Sequence, residues 1–241
     1  MIYIGFGFLM VFLKSNSWTS VGWNFMLSAF AFQWAILCRG FWSRAMHGEF
    51  NHKIDLDITS LINADFCAAA CMITFGALLG KADLFQMWIV IMFEVFFFAL
   101  NESIAMVVFK AVDIGGSMII HCFGAVFGLA ASYFFQNREA IQKHEWKAVG
   151  GYTSQYVAMF GTIFLYLFWP SFNAALCPPL SKHRAAINTA LAIAVSCVVA
   201  AAYSKLQHKV LDMEIMLNAT LAGGVIIGAS ADVIVSPGVA M

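Results

Sequence analysis

Apolar runs separated by short polar punctuation fill most of the chain. About eight such runs can be drawn, at 1–13, 18–42, 61–80, 84–109, 113–135, 152–169, 185–203 and 215–236. Most approach the ~20 residues that a helix needs to cross the hydrocarbon core of a bilayer. The first run is short for a span and reads as clipped at its start. Lys14-Ser-Asn-Ser marks a turn, and Lys81-Ala-Asp83 a tight connection. Longer polar loops are expected at 43–60, from Gln136 to Gly151, from Ser171 to Arg184 and from Lys205 to Glu214. The sixth run is expected to stop at Trp169-Pro170, because proline lacks the N–H that would continue a helix. Trp18, Trp23 and Trp42 suit interfacial belts.

Composition turns this pattern into a class. Of 241 residues, 62% are hydrophobic and 11% charged, where a soluble domain carries about 25% charge. The fold class is therefore all-α, a polytopic membrane helical bundle. Thirteen basic residues balance thirteen acidic ones, with no basic patch for nucleic acid. Alternating spans would divide the basic residues almost evenly between the two sides, so charge does not orient the chain. The six cysteines show no Cys-x-x-Cys pair and lie mostly in apolar runs, which reads as small core residues rather than a disulfide framework or zinc site. No cofactor or metal site is expected.

The organising stretch is Asp113 to Gly128. Asp113, Ser117 and His121 recur at i, i+4, i+8, which on a continuous helix places them along one face with ~12 Å of rise. Gly116, Gly124 and Gly128 would let neighbouring helices approach closely. His121 is the one histidine inside an apolar run. It can line a path for a small polar molecule or relay a proton, or equally serve as a satisfied core residue bridging two helices. Asp113 can cap its helix or help attract a cation at a pore mouth. Glu94, Glu102 and Asp232 are further acids in apolar context, each requiring a partner or its own proton. Asn218-Ala-Thr matches a glycosylation sequon but opens an apolar run, and is discounted. Phe66 and Phe172, taken alone, read as core or lipid-facing.

Asp113-Ile-Gly-Gly-Ser-Met-Ile-Ile-His121-Cys-Phe-Gly-Ala-Val-Phe-Gly-Leu closely resembles the fifth-helix signature of the Rh glycoproteins, a branch of the ammonium transporter (Amt/Rh) family. Similar stretches follow in the family's order: Gly5-Phe-Gly-Phe-Leu-Met, Leu61 to Phe66, Phe75 to Lys81, Trp169 to Asn173, His183 to Asn188 and Leu211 to Gly224. The resemblance implies a fold of eleven or twelve membrane helices in two inverted halves. On that reading 1–241 is one incomplete membrane domain, its first half at about 1–135 and a partial second half at about 152–241. The family's second pore histidine belongs to a later helix than this chain contains.

The resemblance further implies a homotrimer in the plasma membrane with a narrow pore through each subunit. Such a protein is a transporter, not an enzyme. It passes ammonia recruited as ammonium, and some family members are proposed to pass carbon dioxide. Carried over by position, Phe66 and Phe172 fall on the external gate, where ring faces can hold a cation. His121 falls on the first pore histidine and Asp113 on the aspartate near the entrance. The rival expectation is a non-conducting Rh-like scaffold or truncated isoform. A seven-helix receptor fits the span count poorly.

Overall fold

A computed structural model of the chain describes residues 2–12, 17–51, 53–136 and 151–241. The expected turn at Lys14, His52, and the loop residues Arg138, Glu139, Lys143, His144, Glu145 and Lys147 lie outside the described residues. The described residues form helices and turns without strands. In order these are α1 (Ile2–Leu9), which runs into a tighter 3₁₀ turn (Met10–Phe12), α2 (Ser17–His47), α3 (Ile58–Leu78) and α4 (Leu84–Ser103). After a widened π turn (Ile104–Val108) and a second one (Ser117–Cys122) come α5 (Phe123–Phe134), α6 (Tyr152–Ala174), α7 (Lys182–His208), α8 (Met213–Gly228) and the short α9 (Pro237–Ala240). Six helical stretches among these are long and apolar enough to cross a membrane, while Ile2–Phe12 and Met213–Gly228 are apolar but shorter.

Helix ends depart from the apolar runs where caps and tertiary contacts take over. α2 continues past the expected end at 42 to His47, where Arg44 and His47 in its last turn complement the negative end of the helix dipole. α3 begins at a capping box, with the Ser60 N–H donating to Asp57 Oδ1 (2.6 Å) and the Asp57 N–H donating to Ser60 Oγ (2.8 Å). α7 extends to His208 and closes on Lys209 in the left-handed conformation, at φ 62°.

Two expectations fail for stated reasons. α6 does not stop at Trp169-Pro170; it carries Pro170 and ends at Ala174. The residues beyond the proline are held by burial of Phe172 and by Asn173, whose Nδ2 donates to Thr189 Oγ1 (3.1 Å) and the Gly224 carbonyl (3.0 Å). α8 ends at Gly228, not near 236. The chain beyond it turns because Asn188 Nδ2 donates to the carbonyls of Ala231 (2.9 Å) and Ile234 (2.8 Å), so Asp232 sits in that turn rather than in a span.

The chain forms two compact units that are not contiguous in sequence. One comprises Met1–Val21, Asp113–Ser117 and Val149–Met241. Within it α1 lies against α6 so closely that a Cβ on Gly161 would meet the Gly5 carbonyl at 2.5 Å and Leu9 Cα at 2.9 Å. Ser154 Oγ donates to the Phe12 carbonyl at 2.9 Å and ties the same pair. α8 packs on α6 and α7, with Thr162 donating to the Leu217 carbonyl (2.9 Å) and Ser196 to the Ala219 carbonyl (2.6 Å). Such small-residue contacts and side-chain hydrogen bonds join helices where hydrophobic exclusion from water cannot.

The other unit comprises Gly22–Val112 and Met118–Ala148. Here the close approach expected at Gly124 and Gly128 is made by α3, since a Cβ on Gly124 would meet the Ala70 carbonyl at 2.6 Å and one on Gly128 would meet Thr74 Cα at 3.0 Å. α2 joins α4 through Trp34 Nε1 donating to the Met92 carbonyl at 3.0 Å, and through an ion pair of Arg39 with Glu102.

Candidate functional site

The organising stretch is not one continuous α-helix. Asp113 to Gly116 is a turn in which the Gly116 N–H donates to the Asp113 carbonyl (3.1 Å) and Gly116 takes φ +73°, a conformation that glycine adopts without strain. Gly115 donates its N–H to the Gly228 carbonyl at 2.9 Å. A Cβ on Gly115 would lie 2.7 Å from Gly228 Cα, so glycine is needed there for the close approach. Helical structure starts only at Ser117, and it starts as a π turn. The expected stripe of Asp113, Ser117 and His121 at α-helical spacing is therefore broken. Gly116 serves this turn.

In the first unit, Ser117 is a fastener. Its Oγ donates to the Val225 carbonyl (2.5 Å) and accepts from the Ala229 N–H (2.7 Å), satisfying two groups at the C-terminal end of α8. Phe172 is 8% exposed and packs its ring on Trp169 (centroids 5.7 Å apart, 51° between planes). Trp169 in turn meets Phe6 edge-on at 6.4 Å. Gly224 makes room for the Trp169 indole, which a Cβ at that position would strike. Asp113 is partly exposed in its turn. Nearby in sequence to this packing, in the loop after α6, Cys177 has its thiol pushed up by burial first and by the Asp232 carboxylate second, with Lys182 opposing.

In the second unit, Phe66 on α3 is 7% exposed and His121 is 5% exposed. His121 lies within the π turn Ser117–Cys122, immediately before α5. Wide turns of this kind recur at functional positions in membrane and soluble helices. Phe123, two residues on, meets Phe98 of α4 edge-on at 5.5 Å. Two of the acids singled out from the sequence find partners in this unit. Glu102 accepts from Arg39 through both carboxylate oxygens, with Nη2 to Oε1 at 3.0 Å, a two-pronged geometry that suits guanidinium and carboxylate. Glu94 is completely buried, with Thr74 Oγ1 at 2.6 Å from its Oε1.

Phe172 and Asp113 thus belong to one unit, and Phe66 and His121 to the other. Sequence reasoning passed over Arg39, Thr74 and Asn173 as carriers of polar chemistry. The signal for Arg39 was present: a cation inside one apolar run and an acid, Glu102, inside another imply a pair. Thr74 and Asn173 carry no such mark, because Thr and Asn are common in membrane helices without special partners.

Comparisons with known proteins agree with this architecture. The family model described as Ammonium Transporter Family matches residues 1–241. The chain is 45% identical over 242 residues to "Ammonium transporter Rh type C" of Gasterosteus aculeatus, covering 98% of this chain and 48% of that relative. It is 43% identical over 240 residues to "Ammonium transporter Rh type B" of Danio rerio, covering 98% of this chain and 51% of that one. Among solved structures it is similar to Nitrosomonas europaea Rh50, reported with the mechanism of conduction by the Rhesus protein family of channels. That likeness has a TM-score of 0.87 at 32% identity, and covers 99% of this chain and 62% of that one. The chain spans about half the length of the curated relatives it matches. With apolar membrane-length helices, the fold of an Rh channel and a family match along its whole length, the chain is a multi-pass membrane protein that belongs to the Ammonium Transporter Family.

Proposed function

We propose that this protein conducts ammonia across a membrane, with ring faces of Phe66 and of Phe172 each serving to hold arriving ammonium and ammonia passing His121. The observation that carries the reading is the histidine: a 5% exposed imidazole inside an apolar span, on a π turn, in a member of this family. Ammonium is strongly hydrated and costly to move through an apolar passage, whereas ammonia is small and neutral. Aromatic ring faces favour a cation that is losing its water. A neutral imidazole both donates and accepts a hydrogen bond, as ammonia does. Asp113, a half-buried acid in a turn, would bias the entrance toward cations. By family resemblance the protein works as a homotrimer of single membrane domains in the plasma membrane. Carbon dioxide is a second candidate gas.

The test is His121→Ala in the intact protein at matched surface expression. Ammonia flux is expected to fall about tenfold, the rate equivalent of one lost hydrogen bond, with assembly unchanged. Flux equal to the parent's at equal expression overturns the role of His121.

A further inference from the structure

Glu94 is a complete carboxyl group buried in the second unit, and its surroundings dictate its protonation. Thr74 Oγ1 lies 2.6 Å from Glu94 Oε1 and 3.1 Å from the Gly124 carbonyl oxygen. A threonine hydroxyl owns one proton, and a carbonyl owns none. If that proton goes to Gly124, the short contact to Glu94 requires a proton from the acid. The opposite assignment leaves an ionised carboxylate at bilayer depth, accepting from one hydroxyl and at most the weak donor of the Cys71 thiol, and neutralised by no cation. Glu94 Oε2 is buried with no hydrogen bond. Arg39, a cation on α2, is committed to Glu102 on α4 through two contacts. The groups facing Glu94 are otherwise Cys71 and Thr74 on α3 and the Gly124 carbonyl on α5. None of them offers a compensating charge, and an unpaired ion in this setting is costly enough that the proton stays.

We propose that Glu94 is a neutral carboxylic acid that donates to Thr74, which donates to Gly124, and that this relay of hydrogen bonds is a positioning device for His121. It joins α4 to α3 and α3 to α5, and it ends on the backbone three residues after the imidazole, at the point where Gly124 already presses on Ala70. Its effect on transport rests on the reading of His121 given above. Its protonation state does not.

The experiment therefore has two readouts on the intact protein in lipid vesicles. Infrared spectra at neutral pH are expected to show a protonated-carboxyl C=O band in the parent that is absent from Glu94→Gln. Ammonia flux is expected to survive in Glu94→Gln at about half the parent's value or better, because an amide N–H can replace the acid's O–H. Thr74→Ser, which keeps the hydroxyl, is expected to behave like the parent. Thr74→Val and Glu94→Asp, which break or shorten the relay, are expected to lose flux by roughly fivefold. A parent spectrum lacking the acid band, or Glu94→Gln as inactive as Glu94→Asp, overturns the proposal. If the parent itself conducts nothing, the transport reading fails, and the infrared band alone decides whether the neutral relay exists.

Discussion

Several polar side chains inside the spans of this protein fasten one helix to a named carbonyl of another segment. Ser117 holds the end of α8, Thr162 and Ser196 hold its middle, and Asn188 holds the turn after it. Outside the spans, Asp57 shows how a single carboxylate sets a helix start. The Ser60 backbone N–H, and then its hydroxyl, hold this carboxyl below its ordinary value. A depressed carboxyl contributes stability that is present above the unfolded-state value and lost as pH falls through the folded one. Amide hydrogen exchange in the first turn of α3 should accordingly accelerate in acid beyond its intrinsic dependence. Asp57→Asn should flatten that response, since an uncharged cap has no proton to gain. An identical acid response in Asp57→Asn would show that the cap does not depend on charge. At this scale the sequence was legible where chemistry is rare in its setting. His121, Glu94 and Glu102 stand out because hydrocarbon makes them expensive. Arg39 could be read as the counter-charge for Glu102, whereas Thr74 as the partner of Glu94 follows only from which helices touch.

Helices here are joined through glycine as much as through side chains. α1 rests on α6 where Gly161 meets Gly5 and Leu9, and the obstruction to a larger residue is backbone, which cannot rotate away. Gly161→Ala should therefore force α1 outward and cost roughly 1–3 kcal/mol, in the range of overpacked sites. The check is thermal unfolding in detergent with Gly22→Ala as reference, since a Cβ at Gly22 meets nothing within 4 Å. Equal melting temperatures for the two variants would contradict the close α1–α6 contact. The existence of the spans was readable from hydropathy alone, but their ends were not. Pro170 argued for a stop that Asn173 overrides by anchoring the next turn to α7 and α8. The run to 236 argued for a longer α8 than Asn188 permits. In the organising stretch, periodicity suggested one helix, whereas Gly115 and Gly116 form a turn that buries its backbone against Gly228. In each case a long-range hydrogen bond or close approach outweighs a local preference.

Taken whole, the chain is a multi-pass helical membrane protein of the Ammonium Transporter Family. Several ordered motif matches carried that conclusion from sequence, where any one motif would have been weak. The central claim is conduction of ammonia, and the most direct measurement is made on purified protein in vesicles loaded with a pH-sensitive dye. On mixing with an ammonium salt, vesicles containing the intact protein should alkalinise several-fold faster than empty ones, and His121→Ala vesicles should fall back toward the empty rate. Alkalinisation no faster than in empty vesicles, with the protein folded and inserted, would contradict the account.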